Sequence, residues 1–180
     1  MRSPAEQPAD ELLVMRCQDG EAESLADLVA RWQRRLWRHA CRLTGREDAA
    51  WEVSQEAWLS IIRGLGRLDD PASFPTWAFR IVMHKAADWV RARERARQGR
   101  EELASEPPAR PDRPSGPEDC EDIHAALRRL THDQREVLTL HYLEGFAVAE
   151  IAAILAVPGG TVKSRLHAAR EELRRIWRRP

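Results

Sequence analysis

The stretch AEIAAILAVPGGTVKSRLHAAR (residues 149–170) leaves the chain few folding options. Ile151, Ile154 and Leu155 share one face of a first short helix. Val162, Leu166, Ala169 and Leu173 share one face of a second. Pro158-Gly159-Gly160 between them predicts the tight change of direction, with Pro suited to a helix's first turn. Two short amphipathic helices around a Gly-containing turn make a helix-turn-helix. At about 100° per residue, Lys163, Ser164 and His167 point away from the apolar face of the second helix. Arg165 and Arg170 flank that face, and Arg174 extends the outer row. Side chains near a helix start reach base edges in a major groove, and basic ones anchor on phosphates. A solvated helix carrying Arg for solubility is the plainer alternative. The turn, the preceding apolar run and the charge layout coincide against it.

The rest of the chain carries helical spacing too. Aliphatic and Ala residues recur at that spacing, and Val/Ile/Thr alternation is almost absent, which predicts an all-α fold. Net charge is zero, yet charge is distributed in blocks. Residues 80–97 hold six basic and two acidic side chains, and residues 161–180 hold seven and two. Residues 98–122 between them hold three basic and eight acidic. Local fields of this kind matter more than their sum.

The Pro-, Gly- and acid-rich run GREELASEPPARPDRPSGPED (residues 99–119) has linker composition. It predicts two helical domains joined by a flexible linker: a tail and first helix over 1–21, a domain over 22–97, the linker over 98–120, and a second domain over 121–180. In the first half, residues 10–19, 22–43 and 47–64 read as helices, with a break at Gly45. Asp70-Pro71 and Phe74-Pro75 read as stops, so a long helix is expected from Thr76, as N-cap, to Arg97. In the second half, IHAALRRL reads as a short helix, Thr131 and Asp133 as a new helix start, and Gly145 as its end.

On the helix from Thr76, Phe79, Val82, Met83, Ala86 and Val90 form the apolar face. Trp77, Arg80, Ile81, His84, Asp88, Arg91 and Arg95 lie opposite. An aromatic ring among arginines beside a loop suits unstacked bases; packing of Trp77 against a neighbouring helix is equally open. On the helix over 47–64, Ala50, Val53, Ala57 and Ile61 form a core stripe widened by Trp58, Ile62 and Leu65. The far side shows Glu52, Gln55, Glu56 and Leu59, a patch better suited to a protein than to DNA, since carboxylates repel phosphates. A plain solvated face with one stray Leu is the alternative.

DAAWEVSQEAWLSIIRGL, SFPTWAFRIVMHKAADWVRARER and REVLTLHYLEGFAVAEIAAILAVPGGTVKSRLHAARE resemble, in that order, the extracytoplasmic-function group of bacterial sigma factors, in the sigma-70 family. The likeness covers roughly residues 22–97 and 121–177. It implies a subunit of RNA polymerase that selects promoters and helps melt them. Region two would bind the beta-prime clamp and the minus-ten element. Region four would read the minus-thirty-five element and touch the beta flap. The linker would thread near the active-site channel, and an anti-sigma factor would be a further partner. Residue by residue, Glu52, Gln55 and Glu56, with Leu59 beside them, fall on the clamp-binding motif. Phe74 and Trp77 fall on the melting segment. Arg80, His84 and Asp88, extended by Arg91, fall on the minus-ten helix. Thr161, Lys163, Ser164, Arg165, His167 and Arg170 fall on the recognition helix. Three positions depart: His84 stands where Asn is common, Trp51 where an acid is usual, and Ala156 where Gly is frequent at the turn.

Other classes have little support. There is no phosphate-cradling Gly loop, nucleophile elbow or metalloprotease helix, so no enzyme, cofactor or small-molecule substrate is expected. Cys120, His124 and His132 make no closed zinc site, so no metal is expected. Cys17, Cys41 and Cys120 make no disulfide framework. With no signal peptide and no membrane-length apolar run, a reduced cytoplasm is the expected compartment. Two rivals remain: a helix-turn-helix regulator acting without polymerase, and a sigma-like decoy that sequesters an anti-sigma factor. The first calls for a sensory or dimerisation domain, and the second for loss of the basic recognition helix.

Overall fold

The computed structural model describes residues 6–101 and 130–177, and every regular element among them is helical. The chain divides into two compact units, one within Pro4–Asp112 and one within Arg113–Pro180. The expected linker run from residue 102 onward, the short helix over 123–129 and Cys120 lie outside the described residues.

The first unit packs four helices: α1 (Glu6–Gln18), α2 (Ala22–Thr44), α3 (Glu47–Leu65) and α4 (Phe74–Glu101). On α2, Leu28, Trp32, Leu36, His39 and Ala40 are buried at helical spacing, and the helix stops at Gly45 in the left-handed region (φ 68). The buried stripe of α3 is rich in small residues, Ala49, Ala50 and Ala57, so α2 and α4 can both approach it closely. Trp32 is the hub. Its ring meets Phe74 edge-on at 5.6 Å and Phe79 at 6.5 Å, and its Nε1–H donates to Asp10 of α1 at 3.1 Å. Asp10 is itself buried and pairs with Arg31 at 2.6 Å, which docks α1 onto α2.

The start of α4 corrects the sequence reading. Phe74-Pro75 is not a stop, and Thr76 is not the cap. Asp70 caps a single 3-10 turn, Pro71–Ser73, by accepting from the Ala72 N–H at 3.1 Å. That turn runs straight into α4 at Phe74. Pro75 sits in the first turn, where its missing N–H costs nothing and its fixed φ suits a helix. At the other end α4 continues past Arg97 to Glu101.

The second unit holds α5 (His132–Leu138), a π-turn (Thr139–Leu143), α6 (Val148–Leu155) and α7 (Gly159–Trp177). Thr131, the helix start the sequence indicated, caps α5 in a reciprocal capping box with Gln134. Gly145 (φ 75) turns the chain after the π-turn. Val137, Leu140, Phe146, Ile151, Ile154, Val162, Leu166 and Ala169 form the core.

The reversal between α6 and α7 is made differently from the expectation. Ala156, not the Gly pair, adopts the left-handed conformation (φ 52), with Val157 N–H donating to Ala152 O at 3.1 Å. Pro158 precedes α7 and its carbonyl accepts from Thr161 N–H at 2.9 Å, so Gly159 and Gly160 belong to the first helical turn. A Cβ in the left-handed region costs roughly 1–2 kcal/mol. Ala156→Gly relieves this strain, offset in part by added freedom in the unfolded chain, and is expected to raise the second unit's stability by about 1 kcal/mol. Denaturant unfolding at unchanged slope measures it.

Among the described residues, each unit buries one titratable group without full partners. His39 in α2 lies against Phe79 at 4.9 Å with both ring nitrogens unpartnered. Burial first, then the Arg42 charge, lowers its pKa from the usual 6.5 to about 3. Glu136 in α5 has an unpartnered Oε1, and burial, then the Asp133 charge, raises its pKa from 4.5 to about 7 against the pull of Arg165. The two linkages have opposite sign. Between pH 6.5 and 3 the unfolded first unit binds the proton that folded His39 refuses, so stability falls on acidification. Between pH 4.5 and 7 folded Glu136 holds a proton that the unfolded chain releases, so stability falls as pH rises. Each fully engaged group contributes about 1.4 kcal/mol per pH unit. Scanning calorimetry from pH 6.5 to 4.5 is expected to show a descending slope that His39→Leu flattens and an opposing one that Glu136→Gln flattens.

Candidate nucleic-acid and polymerase interfaces

On α7, the buried row Val162, Leu166 and Ala169 fixes the helix against α5 and α6, which leaves Lys163, Ser164 and His167 exposed together on the outer face. Thr161 is half-buried at the start of this face, and its carbonyl accepts from Ser164 Oγ at 2.9 Å. The two flanking arginines each have a partner within the unit. Arg165 turns inward to Asp133 of α5 at 2.6 Å, close to buried Glu136. Arg170 donates from Nε to the Tyr142 hydroxyl at 2.8 Å, its guanidinium 5.6 Å from the ring centroid. Arg165 therefore braces α7 against α5. Arg170 belongs to a cleft of about 490 Å³ floored by Leu138, Tyr142, Leu143 and Leu173. Tyr142 and Leu143 are more than half exposed there. Counting helical periods across residues 132–145 misses them, because the π-turn inserts a residue and rotates the positions after it.

On α4, Arg80, His84, Asp88 and Arg91 line one exposed face. Asp88 accepts from Arg91 at 2.5 Å, which holds its carboxyl below the usual range and tempers its repulsion of phosphate. Trp77 is half-buried: a Cβ at Gly64 of α3 would lie 2.9 Å from its Cζ2. It packs on a neighbouring helix, stays partly exposed, and stands 6.3 Å from the ring of Phe74, which follows the loop over 66–73. Phe74 corrects the expectation of a melting residue that touches DNA. Its ring is fully buried against Trp32, so in this conformation it holds the loop in place and touches no base.

The patch on α3 separates into two rows. Glu52 accepts from Trp89 Nε1 at 2.9 Å and Glu56 from Lys85 Nζ at 3.3 Å, so both carboxylates face α4. Gln55 and Leu59 face the other way and line a groove of about 450 Å³ between α2 and α3. Its walls are Val29, Trp37, Trp51, Trp58 and Ile62. Trp51 and Ile62 are about half exposed, so Ile62 is not core, and Trp51 stands 5.5 Å from Trp37. The expected acidic-polar patch is thus an apolar groove with an acidic edge. Among the described residues, no group of His, Cys, Asp and Glu gathers as metal ligands, and no helix is long and apolar enough to cross a membrane.

Residues 28–96 match the family described as Sigma-70 region 2, and residues 120–173 match Sigma-70, region 4. The ECF RNA polymerase sigma-E factor of Haemophilus influenzae is 31% identical, with 93% of this chain and 94% of that protein covered. The chain belongs to the extracytoplasmic-function group of the sigma-70 family. The sigma-E factor of Escherichia coli is 30% identical over 94% of both chains. Among solved structures, the sigma factor RpoE in complex with the anti-sigma factor NepR, from Bartonella quintana, superposes with a TM-score of 0.70. It is 25% identical, covering 88% of this chain and 99% of that one. CnrH in complex with the cytosolic domain of CnrY gives 0.67 at 25% identity, covering 94% of this chain and 97% of that one. This sigma factor directs RNA polymerase to promoters. The region 2 match spans most of α2, then α3 and α4, while α1 lies outside it.

Proposed function

We propose that this sigma factor contacts its promoter at two places, each through one unit. Residues 121–180 act as region four, residues 22–97 as region two, and 98–120, whose first four residues continue α4, as the connection between them. The observation that carries the reading is the exposed row Lys163, Ser164 and His167 over the buried row Val162, Leu166 and Ala169. A helix held this way can enter a major groove with its polar residues on base edges and phosphates, while phosphate contacts set the register.

The first unit then takes the opened strand. The loop over 66–73 and the solvent side of Trp77 receive an unstacked base, and Arg80, His84 and Arg91 follow the backbone. Unstacking costs a few kcal/mol, which stacking and phosphate contacts offset. The apolar groove with Gln55 and Leu59 suits the polymerase clamp, and the Tyr142–Leu143 cleft suits the flap. Both offer the apolar core that a protein interface needs. An anti-sigma factor that covered either surface would hold the protein inactive. The work takes place in the cytoplasm, where the polymerase is.

Run-off transcription with core polymerase on a randomised promoter pool tests the reading. Sequence-selected transcripts that depend on the added chain are expected. Transcripts without sequence selection would contradict it. Lys163→Ala is expected to lower the slope of log affinity against log salt by about 1 without changing sequence preference.

A further inference from the structure

We propose that Gln18, the last residue of α1, is a positioning residue for the loop that receives the unstacked base. The inference rests on the reading of residues 66–73 as that loop. Gln18 Nε2 donates to Leu65 O at 3.0 Å and to Leu68 O at 2.8 Å. These are carbonyls at the C-terminal end of α3 and the entry of the loop. A single planar NH2 group spans both, one hydrogen to each. The loop's own bonds are short-range: Arg67 N–H to Gly64 O, Leu68 N–H to Leu65 O, and Ser73 Oγ–H to Asp70 O. They shape each turn without fixing where the loop sits on the unit. Gln18 reaches it from 47 and 50 residues away in sequence.

The tether has a firm anchor. At the end of α1, Glu21 N–H donates to Arg16 O and Gly20 N–H to Cys17 O, with Gly20 at φ 90. This Schellman closure fixes the backbone around Gln18. Asp10 ties the same helix to Arg31 and Trp32 at its other side, and α1 packs on the Pro71–Ser73 turn. A loop held in advance binds its base without a further ordering cost. Nothing else in the base-binding chemistry passes through Gln18, so its loss is expected to weaken capture while sparing duplex recognition.

The experiment uses full-length protein reconstituted with core polymerase. The probes are a duplex promoter recovered from a randomised pool and its non-template strand across the minus-ten element. Gln18→Ala, and Gln18→Glu which keeps the shape but donates nothing, are expected to lower single-strand affinity about three- to tenfold. Upstream duplex affinity should be unchanged. Val53→Ala, which opens a core cavity on α3 about 18 Å along the helix from Leu65 and outside the tether, is expected to lower the thermal midpoint at least as much as either Gln18 variant while keeping strand affinity. If Val53→Ala loses strand affinity in proportion to its midpoint, Gln18 is a staple of the fold and the proposal is overturned. Wild-type strand affinity in both Gln18 variants, with Trp77→Ala impaired, overturns it and leaves the melting reading standing. Wild-type affinity in Trp77→Ala as well overturns both.

Discussion

Trp32→Ala is expected to remove a large part of the first unit's stability. The ring is 1% exposed, meets Phe74 and Phe79 edge-on, and carries the Arg35 guanidinium at 4.7 Å. Deleting a buried Trp costs about 3–5 kcal/mol. The change also strips Asp10 of an N–H donor in a site where its other partner, Arg31, is partly exposed. A unit of this size has about 5–15 kcal/mol in all. At about 4–8 °C per kcal/mol, the first transition should fall by about 12–40 °C. The second unit has its own core, so its transition should stay in place. Calorimetry resolves the two, and a joint fall of both would show a coupling that separate cores do not supply.

Trp77→Ala is expected to impair promoter opening far more than promoter binding. Stacking of a base on an aromatic ring contributes about 1–3 kcal/mol, which corresponds to roughly a 5- to 150-fold loss of open complex. Permanganate reactivity of the melted strand measures it, with duplex affinity expected within twofold of wild type, or about 0.4 kcal/mol. Gly64→Ala separates position from presence. The new methyl lies 2.9 Å from Trp77 Cζ2, so the ring must move. Ala favours a helix over Gly by up to about 1 kcal/mol, which opposes loss of fold. Opening should therefore fall in Gly64→Ala while the first unit stays folded. Wild-type opening in that variant would mean the ring's place is not what matters.

How much of this was legible in the sequence depends on which physics set each feature. Periodicity found the buried stripes of α3, α4 and α7, because burial selects residue type at every turn. It also put Lys163, Ser164 and His167 outside. It could not tell that Arg165 meets Asp133 or that Arg170 meets Tyr142, since those contacts join residues 32 and 28 apart. Pro75 misled because the residue serves equally as a stop and as a first-turn residue, and the Asp70 cap that decides the matter lies five positions earlier. The Gly pair drew the residue-by-residue reading of the turn away from Ala156, and only the family resemblance, in which Gly is frequent at that position, pointed there. Phe74 looked available only because its core partner, Trp32, is on another helix. The Gln18 tether is invisible to any pattern, being one side chain on two backbone carbonyls.

Footprinting of the reconstituted polymerase on a selected promoter, with Lys163→Ala/His167→Ala and Trp77→Ala side by side, tests the two-place contact most directly. The first variant is expected to lose upstream duplex protection while the bound fraction still melts downstream. The second is expected to keep upstream protection and lose strand opening. If either variant abolishes both signals together, or if both leave the pattern intact, the division of labour between the two units is contradicted.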